Sequence, residues 1–389
     1  MEKVDKNEQD WRIKEWRSDG LCEEQCPATM EWTECGSACP LTCANLNSHQ
    51  ITCLSGCVDG CHCPPGLWKD GQRCVPRNQC SCDHAGISYK HRSIRRSACE
   101  ECICEGGSWD CIKLKCGGTC SYYGNSHIQT FDGKSYDMKG KCAYVLSKQC
   151  HAPNGQSKYE IRLLNKNRIA CSSPGSKCEK EIEVRVDGEP VIVLRKDPLL
   201  TVDGQTIHTY YTTSDLQITF LGMTNVVVKS VKAHISILWT GDNLYLGVDS
   251  SMFKQTCGLC GTFDDDISND FHTHDDDNEI SEQSFAWQWS VQDSSSSKCV
   301  EEKWNDIKYC EFYYDRKTDA IKNCQILKNK LFENCHKFVS ADTYYDHCLS
   351  DGCALRNDYI HVVHAYVKTC ADKGVMINWW KPQSSRRQV

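Results

Sequence analysis

Between Cys120 and Cys260 apolar and polar residues alternate in short β-branched runs: Ile182, Val184, Val186; Val191, Val193; Leu216, Ile218, Phe220; Val226 to Val231; Ile235 to Trp239; Leu244 to Val248. A period of two turns one side of each run to a core and the other to water, so the runs predict strands. Asp187-Gly188, Asp203-Gly204 and Gly241-Asp242-Asn243 stand between them and supply the residues that tight hairpins require. An antiparallel β-sandwich follows. Past Cys299 the period lengthens: Ile360, Val363 and Val367 share one helical face, and Tyr359, Val363, Tyr366 and Cys370 the adjoining one. Asn357 or Asp358 sits where the N-cap belongs. Before Cys120 neither period holds, and ten cysteines crowd the stretch from Cys26 to Cys80. Such a segment cannot bury enough apolar surface and must be stapled, with five bridges expected. Six more cysteines from Cys82 to Cys116 bracket Trp109 in another small stapled unit. The fold class is mainly β: small disulfide-rich modules, then the sandwich, then a small helical module stapled by Cys310, Cys324, Cys335, Cys348, Cys353 and Cys370.

Composition fixes the compartment. Of 389 residues 31 are cysteine, far above cytosolic usage, which points to an oxidised, secreted protein of the extracellular space or matrix. A net charge of -7 argues against a nucleic-acid partner. No apolar run approaches the length needed for membrane insertion. The first twenty residues lack the apolar core of a secretory signal, so a fragment or incomplete form of a larger secreted protein is expected. No N-glycosylation sequon occurs.

Candidate chemistry concentrates in Cys257-Gly-Leu-Cys-Gly-Thr-Phe-Asp-Asp-Asp-Ile-Ser-Asn-Asp270. Asp264, Asp266, Ser268 and Asp270 alternate, so in an irregular loop their oxygens can converge on one hard cation, and Ca2+ takes six to eight such ligands. An EF-hand is excluded, because counting from Asp264 its glycine and glutamate positions hold Asn269 and Asp275. A solvated acidic turn and a redox-active Cys-x-x-Cys are the competing readings. His361 with His364, and His272 with His274, are weaker metal candidates, read as partly exposed helix histidines and as part of a mobile acidic loop. Arg95-Arg96 is a processing candidate, read as a charged loop. No nucleophile motif, zinc-protease helix or phosphate loop is present, so no enzyme is expected.

In their order and spacing, His127-Ile-Gln-Thr-Phe-Asp-Gly133, Cys142-Ala-Tyr-Val-Leu146, Cys257-Gly-Leu-Cys-Gly261, Asn269-Asp270 and His364-Ala-Tyr-Val-Lys-Thr-Cys370 resemble the von Willebrand factor type D assembly of von Willebrand factor, gel-forming mucins, zonadhesin and otogelin. The resemblance implies six segments: 1–24 closing a preceding eight-cysteine module, 25–80 a trypsin-inhibitor-like module, 81–117 an E module of von Willebrand type C likeness, 118–298 the type D domain, 299–380 an incomplete eight-cysteine helical module, and 381–389 a tail.

It also implies one calcium held by Asp132 of the early turn with Asp264, Asn269 and Asp270; Thr262 stands where the family usually has Asn and can still offer its oxygen, and Asp265 and Asp266 add further carboxylates. Implied disulfides are Cys120 to Cys260, Cys150 to Cys257, Cys142 to Cys299 and Cys171 to Cys178. Cys22 is then the odd cysteine, unpaired or intermolecular. The expected role is structural and adhesive, through contact with other extracellular glycoproteins or further copies of the assembly, with multimerisation. A second candidate class is protease inhibition: the loop Cys53 to Cys57 would present Leu54 to a serine protease.

Overall fold

The structure is a computed structural model that describes residues 26–46, 56–96, 99–150, 152, 155–165, 179–196, 200–222, 224–273, 281–291, 304 and 307–378. Cys22, Leu54, Cys171, Cys178, Cys299, His274 and the serine-rich joint after Asp293 lie outside the described residues. The chain divides into two units, residues 1–96 with 100–113, and 97–99 with 114–389.

In the first unit sulfur takes the place of a large core. Glu31–Ser37 pairs antiparallel with Cys57–His62, and Leu67–Asp70 with Arg73–Pro76. Cys26–Cys61, Cys35–Cys57, Cys43–Cys80 and Cys63–Cys74 cross-link these ribbons. The apolar remainder is a cluster of Cys43, Val75 and Cys80, with Leu46 and Trp68 packed against it. Next come the hairpin of Cys82–His84 with Ile87–Tyr89 and a three-stranded sheet of Ile94–Arg96, Glu100–Glu105 and Ser108–Lys113. Cys82–Cys104 and Cys102–Cys111 fasten this part. Arg95 and Arg96 are strand residues here, paired with Glu100 and Glu101, not a loop.

The second unit is a sandwich followed by helices. Among the described residues one sheet has eight strands and the other seven, and every strand pairing within them is antiparallel. Asp203 and Gly204 turn between Leu200–Val202 and Gln205–Ile207 with φ of 46° and 79°, the left-handed geometry of a two-residue hairpin. The facing sides bury Ile182, Val184, Leu216, Ile218, Val226, Val228, Ile235, Ile237, Leu244 and Leu246, as the alternation requires. One run has the opposite phase: Ile192 and Leu194 go in, while Val191 and Val193 are only half-buried. Val-Ile-Val-Leu contains no polar residue, so nothing in that run sets which side faces inward.

The helical module consists chiefly of Tyr314–Cys324, Asp342–Ala354 and Tyr359–Asp372, joined by Cys310–Cys353, Cys324–Cys348 and Cys335–Cys370. The last helix buries Val362, Val363, Ala365, Tyr366 and Cys370. Of the two faces expected, the one carrying Val363, Tyr366 and Cys370 is therefore the packed one. Asp358 occupies the N-cap position but is itself in helical conformation and makes no capping bond. Cys116, counted above among the stapled cysteines, is a half-buried thiol.

Candidate metal centre and the junction beside it

The Cys-Gly-Leu-Cys-Gly turn lies along the strand Tyr144–Gln149: Leu259 and Cys260 donate their amides to Val145 O (3.1 Å) and Leu146 O (2.8 Å). Two glycines permit this approach. A Cβ on Gly258 (φ 113°) would come 2.8 Å from Leu146 O, and one on Gly261 (φ 72°) would come 2.0 Å from Asp270 Oδ1. Phe131 N donates to Cys260 O at 3.1 Å, and the buried Tyr136 hydroxyl donates to Leu259 O at 2.5 Å, so the early Thr-Phe-Asp-Gly turn is fixed to the same loop. Both cysteines of the turn are bonded to distant partners, Cys120 to Cys260 and Cys150 to Cys257. That overturns the redox Cys-x-x-Cys, since neither sulfur carries the thiolate that exchange requires. Cys142 is disulfide-bonded too.

These contacts bring Asp132 to the acidic loop. Asp132 Oδ2 accepts the amides of Asp264 (3.1 Å) and Asp266 (3.2 Å), and Asn269 Nδ2 donates to Asp264 Oδ2 (3.0 Å). Thr130 Oγ1 donates to Asp270 Oδ2 at 2.7 Å. Three oxygens remain buried without a hydrogen-bond partner: Asp132 Oδ1, Asn269 Oδ1 and Asp270 Oδ1. With both carboxylates ionised all three are acceptors, and each unsatisfied buried acceptor costs about 1–3 kcal/mol. Burial, with Asp132 and Asp264 nearby, pushes the Asp270 carboxyl up to about 7 against the opposing Thr130 bond. Burial also raises Asp132, and the Asp264 carboxylate adds to that rise.

The alternation that suggested convergence of Asp264, Asp266, Ser268 and Asp270 is not what the loop does. Asp265 has φ 65°, which breaks the extended path. Asp266 is exposed, and its Oδ1 accepts from Ser268 N (3.0 Å) and Ser268 Oγ (2.6 Å). The buried, unpartnered oxygens belong to Asp132, Asn269 and Asp270, with Asp264 bonded to Asn269 and Thr262 half-buried in the same turn. This is a hard-oxygen set of the kind a Ca2+-sized ion accepts. Thr130 and Gly261 escaped the sequence reading, although both lie in quoted motifs; one holds Asp270 in place and the other makes room for it.

Residues 120–277 match the family described as von Willebrand factor type D domain, residues 26–80 the trypsin inhibitor like cysteine rich domain, and residues 323–386 the C8 domain. The chain belongs with the von Willebrand factor type D assemblies. It is 31% identical over 376 residues to Mucin-5B of Gallus gallus, covering 92% of this chain and 17% of that protein. Mucin-5AC of Homo sapiens is 31% identical over 385 residues, 95% of this chain and 6% of that protein. Hemocytin of Bombyx mori is 31% identical over 368 residues, 90% of this chain and 11% of that protein. The chain thus spans less than a fifth of the length of each of these relatives.

In this type D assembly a second polar cluster joins sandwich to helices, and nothing in the sequence pointed to it. His127 Nδ1 meets Asp137 Oδ1 at 2.6 Å, and His127 Nε2 meets Asp351 Oδ1 at 3.1 Å. Burial alone would depress His127, but the charges and hydrogen bonds of Asp351 and Asp137 carry it to about 10. The His347 ring stacks on it, and Tyr123 hydroxyl lies 3.0 Å from His347 Nδ1. Burial and the charge on His127 press His347 down to about 4. His127, Asp137 and His347 are close enough to tempt a metal assignment. Stacked rings, however, keep their in-plane lone pairs in two separate parallel planes, so both cannot bind one ion well. His361 faces Asp242 at 3.5 Å across the same junction.

Proposed function

We propose that this chain is a non-catalytic, calcium-pinned structural and adhesive unit of a secreted matrix, mucus or coat glycoprotein. It acts through protein-protein contact with other extracellular glycoproteins or further copies of itself, and multimerisation is part of that role. The observation that carries the calcium reading is the set of three buried oxygens without partners on Asp132, Asn269 and Asp270. Bound calcium would supply the positive charge these oxygens lack, and would hold the early turn to the acidic loop. It would stabilise the native state by mass action. The mucin relatives support the structural role and the extracellular location. Among the described residues no helix is long and apolar enough to cross a membrane.

The test is a thermal melt titrated with Ca2+ against chelator. Wild type is expected to gain several degrees, Asp132→Asn and Asp270→Asn to lose the response, and Asp266→Asn to keep most of it. A wild-type melt indifferent to Ca2+ at millimolar concentration overturns the reading.

The match of residues 26–80 to the trypsin inhibitor like domain favours a second reading, serine-protease inhibition. Titration of chymotrypsin or elastase with the whole chain separates it from the first. Failure to inhibit at micromolar protein, or inhibition unchanged by Leu54→Ala, removes it.

A further inference from the structure

The three-stranded sheet of the first unit holds a disulfide whose two sulfurs have unlike surroundings. Cys102 and Cys111 face each other directly in the ladder, Cys102 on the central strand and Cys111 on an edge strand. Cys102 is fully buried, while Cys111 is exposed. Beside the buried sulfur lies a guanidinium: Arg95 Nη2 donates to Cys102 Sγ at 3.1 Å and to Glu100 Oε1 at 2.7 Å. Its Cζ sits 5.5 Å from the centre of the Trp109 ring. Arg95 Nε is buried with no hydrogen-bond partner, so this cation holds donor capacity in reserve next to the sulfur. The Glu100 carboxylate lies within 4.8 Å of the sulfurs and is neutralised by the same arginine.

Thiol exchange on a disulfide is asymmetric. It needs one sulfur open to attack and the other able to leave as a thiolate. A thiolate expelled into a buried apolar site is unfavourable, and an adjacent guanidinium reverses that penalty.

We propose that Cys102–Cys111 is an exchange-competent disulfide, attacked at Cys111 by a thiolate from outside the chain, with Cys102 as the leaving group held by Arg95. The attacking sulfur bonds to Cys111 Sγ as the Cys111–Cys102 bond breaks, and the electron pair departs on Cys102 Sγ. One disulfide and one thiolate become one mixed disulfide and one thiolate, with no net oxidation. The product couples the chain covalently to another thiol at a defined surface position. The neighbouring Cys82–Cys104 bridge is an internal control, because both its cysteines are fully buried.

The experiment incubates the whole chain with reduced glutathione near neutral pH. After rapid alkylation, each bridge is followed by peptide mass spectrometry. The expected result is a glutathione adduct on Cys111 with alkylated Cys102, formed at least tenfold faster than any opening of Cys82–Cys104. Arg95→Gln is expected to slow this exchange about tenfold and Arg95→Lys to restore part of it. A parallel arm without glutathione looks for a Cys111-linked dimer. An adduct assigns a small thiol as partner and a dimer assigns a second chain, and either supports the exchange site. Glutathione on Cys102, equal rates for the two bridges, or an Arg95→Gln rate equal to wild type overturns it. The adduct position in the wild type decides the matter even if the arginine variants misfold. It is independent of calcium, so the calcium reading can fail without touching it.

Discussion

The imidazole of His127 lies flat on that of His347, ring centroids 3.9 Å apart and planes 3° from parallel. One ring belongs to the sandwich and the other to the helix Asp342–Ala354, so their protonation is tied to the packing of sheet on helix.

The two rings titrate in opposite senses, and each sign can be worked out. His127 is raised to about 10, so its contribution is fully present below about pH 6.5 and is lost as pH climbs toward 10. His347 is lowered to about 4; below about pH 6.5 the unfolded chain binds a proton that the folded chain refuses, so stability falls as pH drops toward 4. Melting temperature plotted against pH should therefore peak near pH 6.5. His347→Gln should flatten the acid limb and leave the alkaline limb in place. Unchanged slopes on both sides would mean that the stacked pair does not titrate this way.

Removing Asp351 should cost more than removing an ordinary surface carboxylate. It is 2% exposed and accepts from Asn125 N at 3.0 Å and from His127 Nε2 at 3.1 Å. Asp351→Ala leaves a buried imidazolium with only half of its counter-charge, a change worth about 3–5 kcal/mol. Chemical denaturation would register the loss, and hydrogen exchange should show it centred on residues 123–127 and on the helix Asp342–Ala354.

A methyl group at Gly261 is expected to be costly twice over. The position has φ 72°, and the new Cβ would press within 2.0 Å of Asp270 Oδ1. Gly261→Ala should lower stability by about 1–3 kcal/mol from backbone strain alone. Because the methyl displaces an inward oxygen, it should also abolish the melting response to Ca2+. Gly188→Ala is the control, with φ 73° and nothing within 4 Å of a built Cβ: strain without the loss of response.

Hydrogen bonds that lock the loop can be probed singly. Tyr136→Phe removes the donor to Leu259 O and keeps the ring against Phe271, 5.2 Å away. The expected loss is about 1 kcal/mol, with the Ca2+ response weakened but present. A melt indistinguishable from wild type would show that the early turn is held without it.

Much of this architecture could be read from the chain. Alternating runs located the strands because most of them bury one side and leave the other more open, Leu244–Val248 with its buried Tyr245 being an exception, and Asp203-Gly204 marked a hairpin because few residue pairs tolerate its dihedral angles. The phase of Val191 to Leu194 was not legible, since a wholly apolar run carries no mark of its outer side. Asp132, Asn269 and Asp270 were found through motif order. Which neighbours turn inward depended on Asp265 adopting a positive φ, a property that residue type does not announce. The cluster of His127, Asp137, His347 and Asp351 left no local signature: His127 and Asp137 meet across one short strand pair, and His347 and Asp351 join them only when the helix Asp342–Ala354 docks on the sheet.

The Cys120–Cys260 bond closes 140 positions of chain into a ring. A pull applied along the backbone would enter at Cys120 and leave at Cys260 through two sulfur atoms, bypassing the sheets inside the ring. Cys150–Cys257 nests a smaller ring within it, across 107 positions. Under tension the strands between those two cysteines would be spared, whereas Phe285 and Trp289, which lie beyond Cys260 and pack into the same core, would be held only by non-covalent contacts.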